Sequence, residues 1–215
     1  MLLSVFRSRL APKACSGPLA RAHRVIYAIE GDLLLEAGTQ RASLAANSGW
    51  YGDCPLALTG GAGGATLLHW ELSRDSALPL HGAGVESVRL LEQPIAIRGP
   101  DAHLIRLDRV SFPLGGVAYT HTHQGPGIRC LLGGSVIVEV NDTRHTVHPG
   151  EAWFEAGPDP VLAIASDTEL TSFARVMVLP VELIGRSSIR YVKPEDVDKP
   201  KRQSYQIYVD TPLQL

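Results

Sequence analysis

GGVAYTHTHQGPGIRCLLGG, residues 115–134, is the stretch on which the reading of this chain turns. His121 and His123 stand one residue apart at the end of an apolar run. The two-residue period of a β-strand sets both rings on one face. Gly125, Pro126 and Gly127 then break the strand and turn the chain. A second apolar run, residues 128–132, follows and closes on Gly133 and Gly134. Strand, His-x-His, tight turn and strand together aim two imidazoles into one pocket. Imidazole suits zinc, copper, iron and nickel. Tyr119 shares the parity of the two histidines and is expected to line the same pocket.

Outward from this stretch the chain reads as short strands and turns. Residues 24–38, RVIYAIEGDLLLEAG, are two strand-like runs joined around Glu30 and Gly31. Residues 59–64, TGGAGG, resemble a phosphate loop but lack the Gly-Lys-Ser/Thr ending. The following ATLLHWEL reads as a strand, so the glycine run is expected to be a plain loop. Residues 73–100 read as a connector holding one or two short strands. Beyond Gly134, strands are expected over 135–140, 144–147, 151–155, 161–165 and 173–179, with a turn at Asn141 and Asp142 and a short helical turn over 181–184. Residues 193–202 are charged and proline-punctuated, as an exposed segment would be, and 205–209 alternate like an edge strand.

The 215 residues allow one large domain or two small ones, either able to bury a core. A hydrophobic content of 45% against 20% charged is ordinary for a globular chain. A net charge of −2 gives no reason to expect nucleic acid or an anionic membrane as partner. No apolar run approaches bilayer-spanning length. Cys15, Cys54 and Cys130 are an odd number without metal-like spacing, which points to the reducing cytoplasm. The first 24 residues carry Arg7, Arg9, Lys13, Arg21 and Arg24 and no acid, and are read as an N-terminal arm rather than a targeting segment.

The central stretch resembles the first signature of the cupin superfamily: Gly, five residues, His-x-His, three or four residues, Glu, six residues, Gly. Gly115, His121, His123 and Gly134 match it, and Gly127 stands where the Glu belongs. The second signature is matched poorly from Gly150, with Glu155 at its proline, Pro160 at its histidine and Ile164 at its asparagine. RVIYAIEGDLLLE aligns with GIRCLLGGSVIVE when Gly31 is set on Gly134, so the chain looks like two copies of one β-unit. The resemblance is therefore to a bicupin. It implies an all-β fold of two tandem jelly-roll (double-stranded β-helix) barrels, at residues 1–85 and 86–215. In the first copy Pro18 and Ala20 take the histidine places and Arg24 the Glu place, so that barrel is expected to be scaffolding.

What the resemblance implies for the site is a divalent transition metal (iron, manganese, zinc or nickel) on His121 and His123. Glu155 is the candidate for the carboxylate of a 2-His-1-carboxylate set, or else a plain surface residue. Arg129 lies two residues past the vacant Glu place. It is expected to face the barrel, where it needs a bound carboxylate or phosphate, or an internal partner in Glu155 or Asp108. Trp153 is a further candidate for ligand binding, with core packing as the alternative. Arg175 is expected to be exposed, and His145 and His148, flanking a turn, to face solvent. Two function classes remain open. One is a metal-dependent enzyme acting on a small organic acid or aromatic compound. The other is a non-catalytic barrel that binds a small anionic, carboxylate-bearing molecule or serves a structural or sensory role. A homodimer is expected from the edges that such sheets expose.

Overall fold

A computed structural model describes residues 1–97, 99, 102–141 and 143–215. Within them the chain forms sixteen strands and two short 3₁₀ turns. No helix among the described residues is long and apolar enough to cross a membrane. The expected turn at Asn141 and Asp142 involves Asp142, and the expected connector ends at Pro100; both of these residues lie outside the described ones. The chain divides into two compact units, Met1–Ile95 and Ala96–Leu215.

The first unit contains β1 (Leu2–Leu10), β2 (His23–Ala37), β3 (Gln40–Leu44), β4 (Ser48–Gly52), β5 (Leu56–Ser73) and β6 (Val85–Pro94). Their order is β3-β2-β5-β1-β6, with β4 also paired to β2. Three expectations are corrected here. The basic N-terminus is no arm: β1 is paired on both edges, to β5 and β6. Arg7 and Arg9 are exposed and alternate with buried Ser8 and Leu10, so the charges sit on one face of a strand. The glycine run is no loop, since β5 passes through it and Leu33 pairs with Gly60. Residues 85–94 form one strand along β1, so the unit ends after Ile95 instead of at residue 85.

The second unit contains β7 (His103–Phe112), β8 (Val117–His123), β9 (Gly127–Gly133), β10 (Val136–Val140), β11 (Thr143–Val147), β12 (Ala152–Glu155), β13 (Val161–Ala165), β14 (Thr171–Pro180), β15 (Ile189–Tyr191) and β16 (Ser204–Leu213). Two antiparallel sheets result, β11-β10-β13-β8-β15 and β12-β9-β14-β7-β16. This is a jelly roll, all-β as expected. One end of its interior is apolar, with Val110, Phe112, Leu131, Val138, Trp153 and Phe173. A smaller apolar group, Leu104, Met177, Leu179 and Leu183, lies further along the same strands. Asp108 on β7 and Arg175 on β14 fall between the two groups and are buried there. A polar layer thus crosses the barrel between two apolar ones.

Register ties the two units together as copies. The order β4-β2-β5-β1-β6 repeats as β12-β9-β14-β7-β16. Arg24 opposes Gly52 and Glu71, as Gly127 opposes Glu155 and Met177. Ile26 opposes His69, as Arg129 opposes Arg175. The central place of β1 gives a test. Leu3, Val5, Phe6 and Leu10 are at most 1% exposed, and each such side chain contributes about 1.5–3 kcal/mol. Removing residues 1–10 should therefore abolish the cooperative unfolding of the first unit. A merely trimmed arm would leave the thermal transition in place.

Candidate functional site

The site begins with an irregularity in β8. Val161 opposes His121 while Ala163 opposes Ala118, so three steps along β8 match two along β13. The extra residue is a β-bulge, and bulges re-aim side chains. Ala118 packs in the apolar interior. Beyond the bulge His121 and His123 both face the polar layer, at 5% and 4% exposure. Tyr119 sits at the irregularity, where parity fails. Its ring lies under the Lys199 ammonium at 4.8 Å, not in the pocket expected for it. What it contributes to the site is its carbonyl.

That carbonyl fixes the protons of the pair. It lies 2.7 Å from His121 Nδ1 and can only accept, so Nδ1 carries the proton and Nε2 the lone pair. His121 Nε2 is 3.2 Å from His123 Nε2, which must then donate. His123 Nδ1 is left to accept from the Ser188 hydroxyl at 3.1 Å. A chain of hydrogen bonds therefore runs from Ser188 through both rings to the backbone of β8. Ser188 lies beyond the strands used to read the sequence, and no spacing announced it.

Glu155 and Arg129 complete the cluster. Glu155 Oε2 lies 3.4 Å from His123 Nε2 and 2.6 Å from Arg129 Nη2. Arg129, 1% exposed, also donates from Nη1 to the Gly127 carbonyl at 2.6 Å. The Nη2–Oε2 approach is a contact of charges without hydrogen-bond alignment. Trp153 is core, edge-on to Phe173, and its indole donates to Glu155 Oε1 at 2.9 Å. Of the two partners expected for Arg129, the structure gives it Glu155. Asp108 instead takes Arg175 in a fork at 2.6 and 3.0 Å. Arg175 is buried, contrary to expectation, because β14 is covered on both faces. His145 and His148 are exposed.

Two Nε2 atoms 3.2 Å apart suit two ligands of one ion with bonds of about 2.0–2.1 Å. The third ligand does not follow. A Cβ on Gly127 would lie 2.5 Å from the Val176 carbonyl oxygen, so a glutamate at the signature place would force β14 aside. Glu155, the substitute, is already held by Arg129. An ion on its Oε2 would sit within about 5 Å of the guanidinium, a repulsion on the order of several kcal/mol at an effective dielectric of about 20. Among the described residues no group of three His, Cys, Asp or Glu side chains is arranged to hold a metal. As it stands, the cluster does not fit a divalent ion.

Beside the cluster is a cavity of about 320 Å³. Ser188 and Tyr191 line it, and the Tyr191 ring stands 6.4 Å from that of His121. Arg106, Arg175, Arg186 and Lys201 face it against one carboxylate, Asp108. Tyr205 covers the Arg175 guanidinium at 5.7 Å and Tyr191 covers Lys201 at 4.4 Å. Residues 193–202 are exposed as expected except for buried Asp196 and half-buried Lys201, which lines the cavity and whose Nζ donates to the carbonyls of Asp196, Val197 and Lys199.

No family model matches the chain, and no curated protein matches it in sequence. Solved structures do match. AerE from Microcystis aeruginosa aligns at TM-score 0.63 and 12% identity, over 82% of this chain and 88% of that one. A deletion mutant of Bacillus subtilis oxalate decarboxylase aligns at 0.68 and 12%, over 92% and 73%. A structure of the same enzyme concerned with its Mn(II) centres aligns at 0.67 and 11%, over 92% and 73%. At these identities the likeness is one of fold, the all-β jelly roll.

The buried rings make stability depend on pH. Burial holds His121 below the ordinary imidazole range; burial, then the charges of Arg129 and Arg175, holds His123 well below it. In the unfolded chain both titrate near pH ~6.5. Their contribution is whole above that pH and is lost below it, as the unfolded chain takes up protons that the folded rings refuse. Urea unfolding at about pH 7.5 and about pH 5 should show a smaller acid loss for the His121→Gln, His123→Gln double variant than for the wild type. Equal losses would contradict this assignment.

Proposed function

We propose that the second unit binds a small carboxylate-bearing molecule in the cavity beside the paired histidines. The observation that supports this most is the charge of the lining, four basic side chains against Asp108 among the described residues. Two of the four are already matched: Arg106 by Asp210 at 2.9 Å and Arg175 by Asp108. Arg186 and Lys201 supply the excess, and an anion offsets it. Tyr191 and Tyr205 give flat apolar walls that suit an aromatic or short aliphatic acid. Ser188, on the cavity wall, gives its hydroxyl hydrogen to His123, which leaves its oxygen to accept from a donor on the bound molecule. Neutral His121 and His123 add no charge to that side of the cavity, and the Tyr119 carbonyl at the end of the chain fixes their tautomers.

A second reading puts a divalent metal on His121, His123 and Glu155, serving a metal-dependent enzyme. It is favoured by the 3.2 Å approach of the two Nε2 atoms and by the Mn(II) centres of a structurally similar protein. It requires Arg129 to leave Glu155. Elemental analysis of protein produced in metal-replete medium separates the two readings: a stoichiometric metal sustains the second alone.

Calorimetric titration with benzoate and with neutral benzamide tests the first. Benzoate is expected to bind and benzamide to bind at least about tenfold more weakly, the usual worth of one charge-assisted contact. Arg186→Glu should weaken benzoate by about tenfold or more. Equal binding of acid and amide, or indifference to Arg186→Glu, would sink the proposal.

A further inference from the structure

The carboxylate oxygen that a metal would need beside the two imidazoles is held by a buried arginine. We infer that Arg129 is the resident cation of the second barrel: its guanidinium takes the place of a divalent ion and keeps such ions off His121, His123 and Glu155.

Three observations carry this. The first is position. Arg129 Nη2 is 2.6 Å from Glu155 Oε2, and that oxygen is 3.4 Å from His123 Nε2. An ion bonded to both ligand atoms at about 2.0–2.2 Å would therefore have a full positive charge next to it. The second is fixation. Arg129 Nη1 donates to Gly127, the residue standing where a ligand glutamate would be, and no side chain fits there beside Val176. The guanidinium is thus anchored to the backbone at the gap left by the missing ligand, and with 1% exposure it has no route to solvent. The third is repetition. In the first unit the register-equivalent of Gly127 is Arg24, also buried, and it pairs with Glu71 at 2.7 Å and donates to the Ala20 carbonyl. The two arginines reach their barrels from different positions, Arg24 and Arg129, yet each is paired with a glutamate and tied to a carbonyl. Two buried carboxylates in two copies are each neutralised by an organic cation, the task that a metal would otherwise perform.

Arg129 therefore sets the cation specificity of the site, and this holds whether or not the neighbouring cavity takes an anion. The test uses cobalt(II) alone as probe, read by its visible absorption and by calorimetry. The full-length wild type and Arg129→Lys, which keeps the charge, are expected to remain silent. Arg129→Met and Arg129→Gln, which remove it, are expected to bind one cobalt ion at least about a hundredfold more tightly than the wild type. Adding His121→Ala to either neutral variant should abolish the gain, which places the ion on the histidine pair. Two neutral variants of different polarity are made so that poor folding of one, checked by near-ultraviolet dichroism, leaves the other to decide. Wild-type binding as tight as that of the neutral variants would overturn the inference. So would a folded neutral variant that stays silent, or an Arg129→Lys variant that binds like Arg129→Met. Benzoate binding is measured separately, so failure here leaves the proposed ligand cavity untouched, and the reverse.

Discussion

Three guanidinium groups, those of Arg106, Arg129 and Arg175, lie 1–5% exposed in the second unit. Each has left water at a cost of several kcal/mol, which only a close counter-charge offsets. That requirement organises the unit. Asp108 answers Arg175 from the adjacent strand, Glu155 on β12 answers Arg129 on the paired strand β9, and Asp210 answers Arg106 from the far end of the chain. The last pairing explains why β16 belongs to the barrel. Asp210 also accepts from the Gly185 amide, while Arg106 donates to the carbonyls of Leu183 and Arg186. One buried arginine thus ties β7, the 3₁₀ turn Val181–Leu183 and β16 together, and the same tie builds a wall of the cavity.

The first unit meets a similar demand with fewer charges. Phe6 stands at the place equivalent to Asp108, and His69 at that of Arg175, the two rings stacked at 4.5 Å. Burial pushes His69 down to about 3, so it is neutral. Apart from Arg24 and Glu71 this layer is uncharged rings and aliphatic chains. The difference between the copies lies less in the histidine motif than in how many charges each interior must balance.

Much of this was legible in the sequence, for definite reasons. The His121–His123 pair was readable because both residues lie beyond the bulge, where a period of two holds; Tyr119 was misplaced because it lies on it. Arg129 and Glu155 could be named as partners because each sits at a fixed offset from a recognisable glycine. Arg175 was hidden by its strand, buried on both faces and therefore without alternation. Ser188, Tyr191 and Lys201 had no signal at all, since a three-residue pairing of β15 with β8 and a turn deliver them. Counting charges in the N-terminus obscured the alternation that makes β1 a strand. The glycine run looked like a loop because glycine is depleted in strands. Here it lets β5 pass close to neighbouring backbone, as at Gly64 beside Leu10.

The continuity of β2 and β5 has a mechanical side. In the first unit both strands run unbroken, over 15 and 18 residues, through positions that the second unit splits into β9 with β10 and β13 with β14. A continuous backbone couples the two halves of the first unit, although the β2–β5 ladder shifts register between Ala28 and Glu30 and between Gly31 and Leu33. The second barrel is jointed at residues 134–135 and 166–170, and its halves can part on their own. Amide protons of β10 and β13 are therefore expected to exchange more through local openings than their counterparts in the first unit. The two units thus differ in where an opening can start: at the joints of the second, at the register shifts of the first.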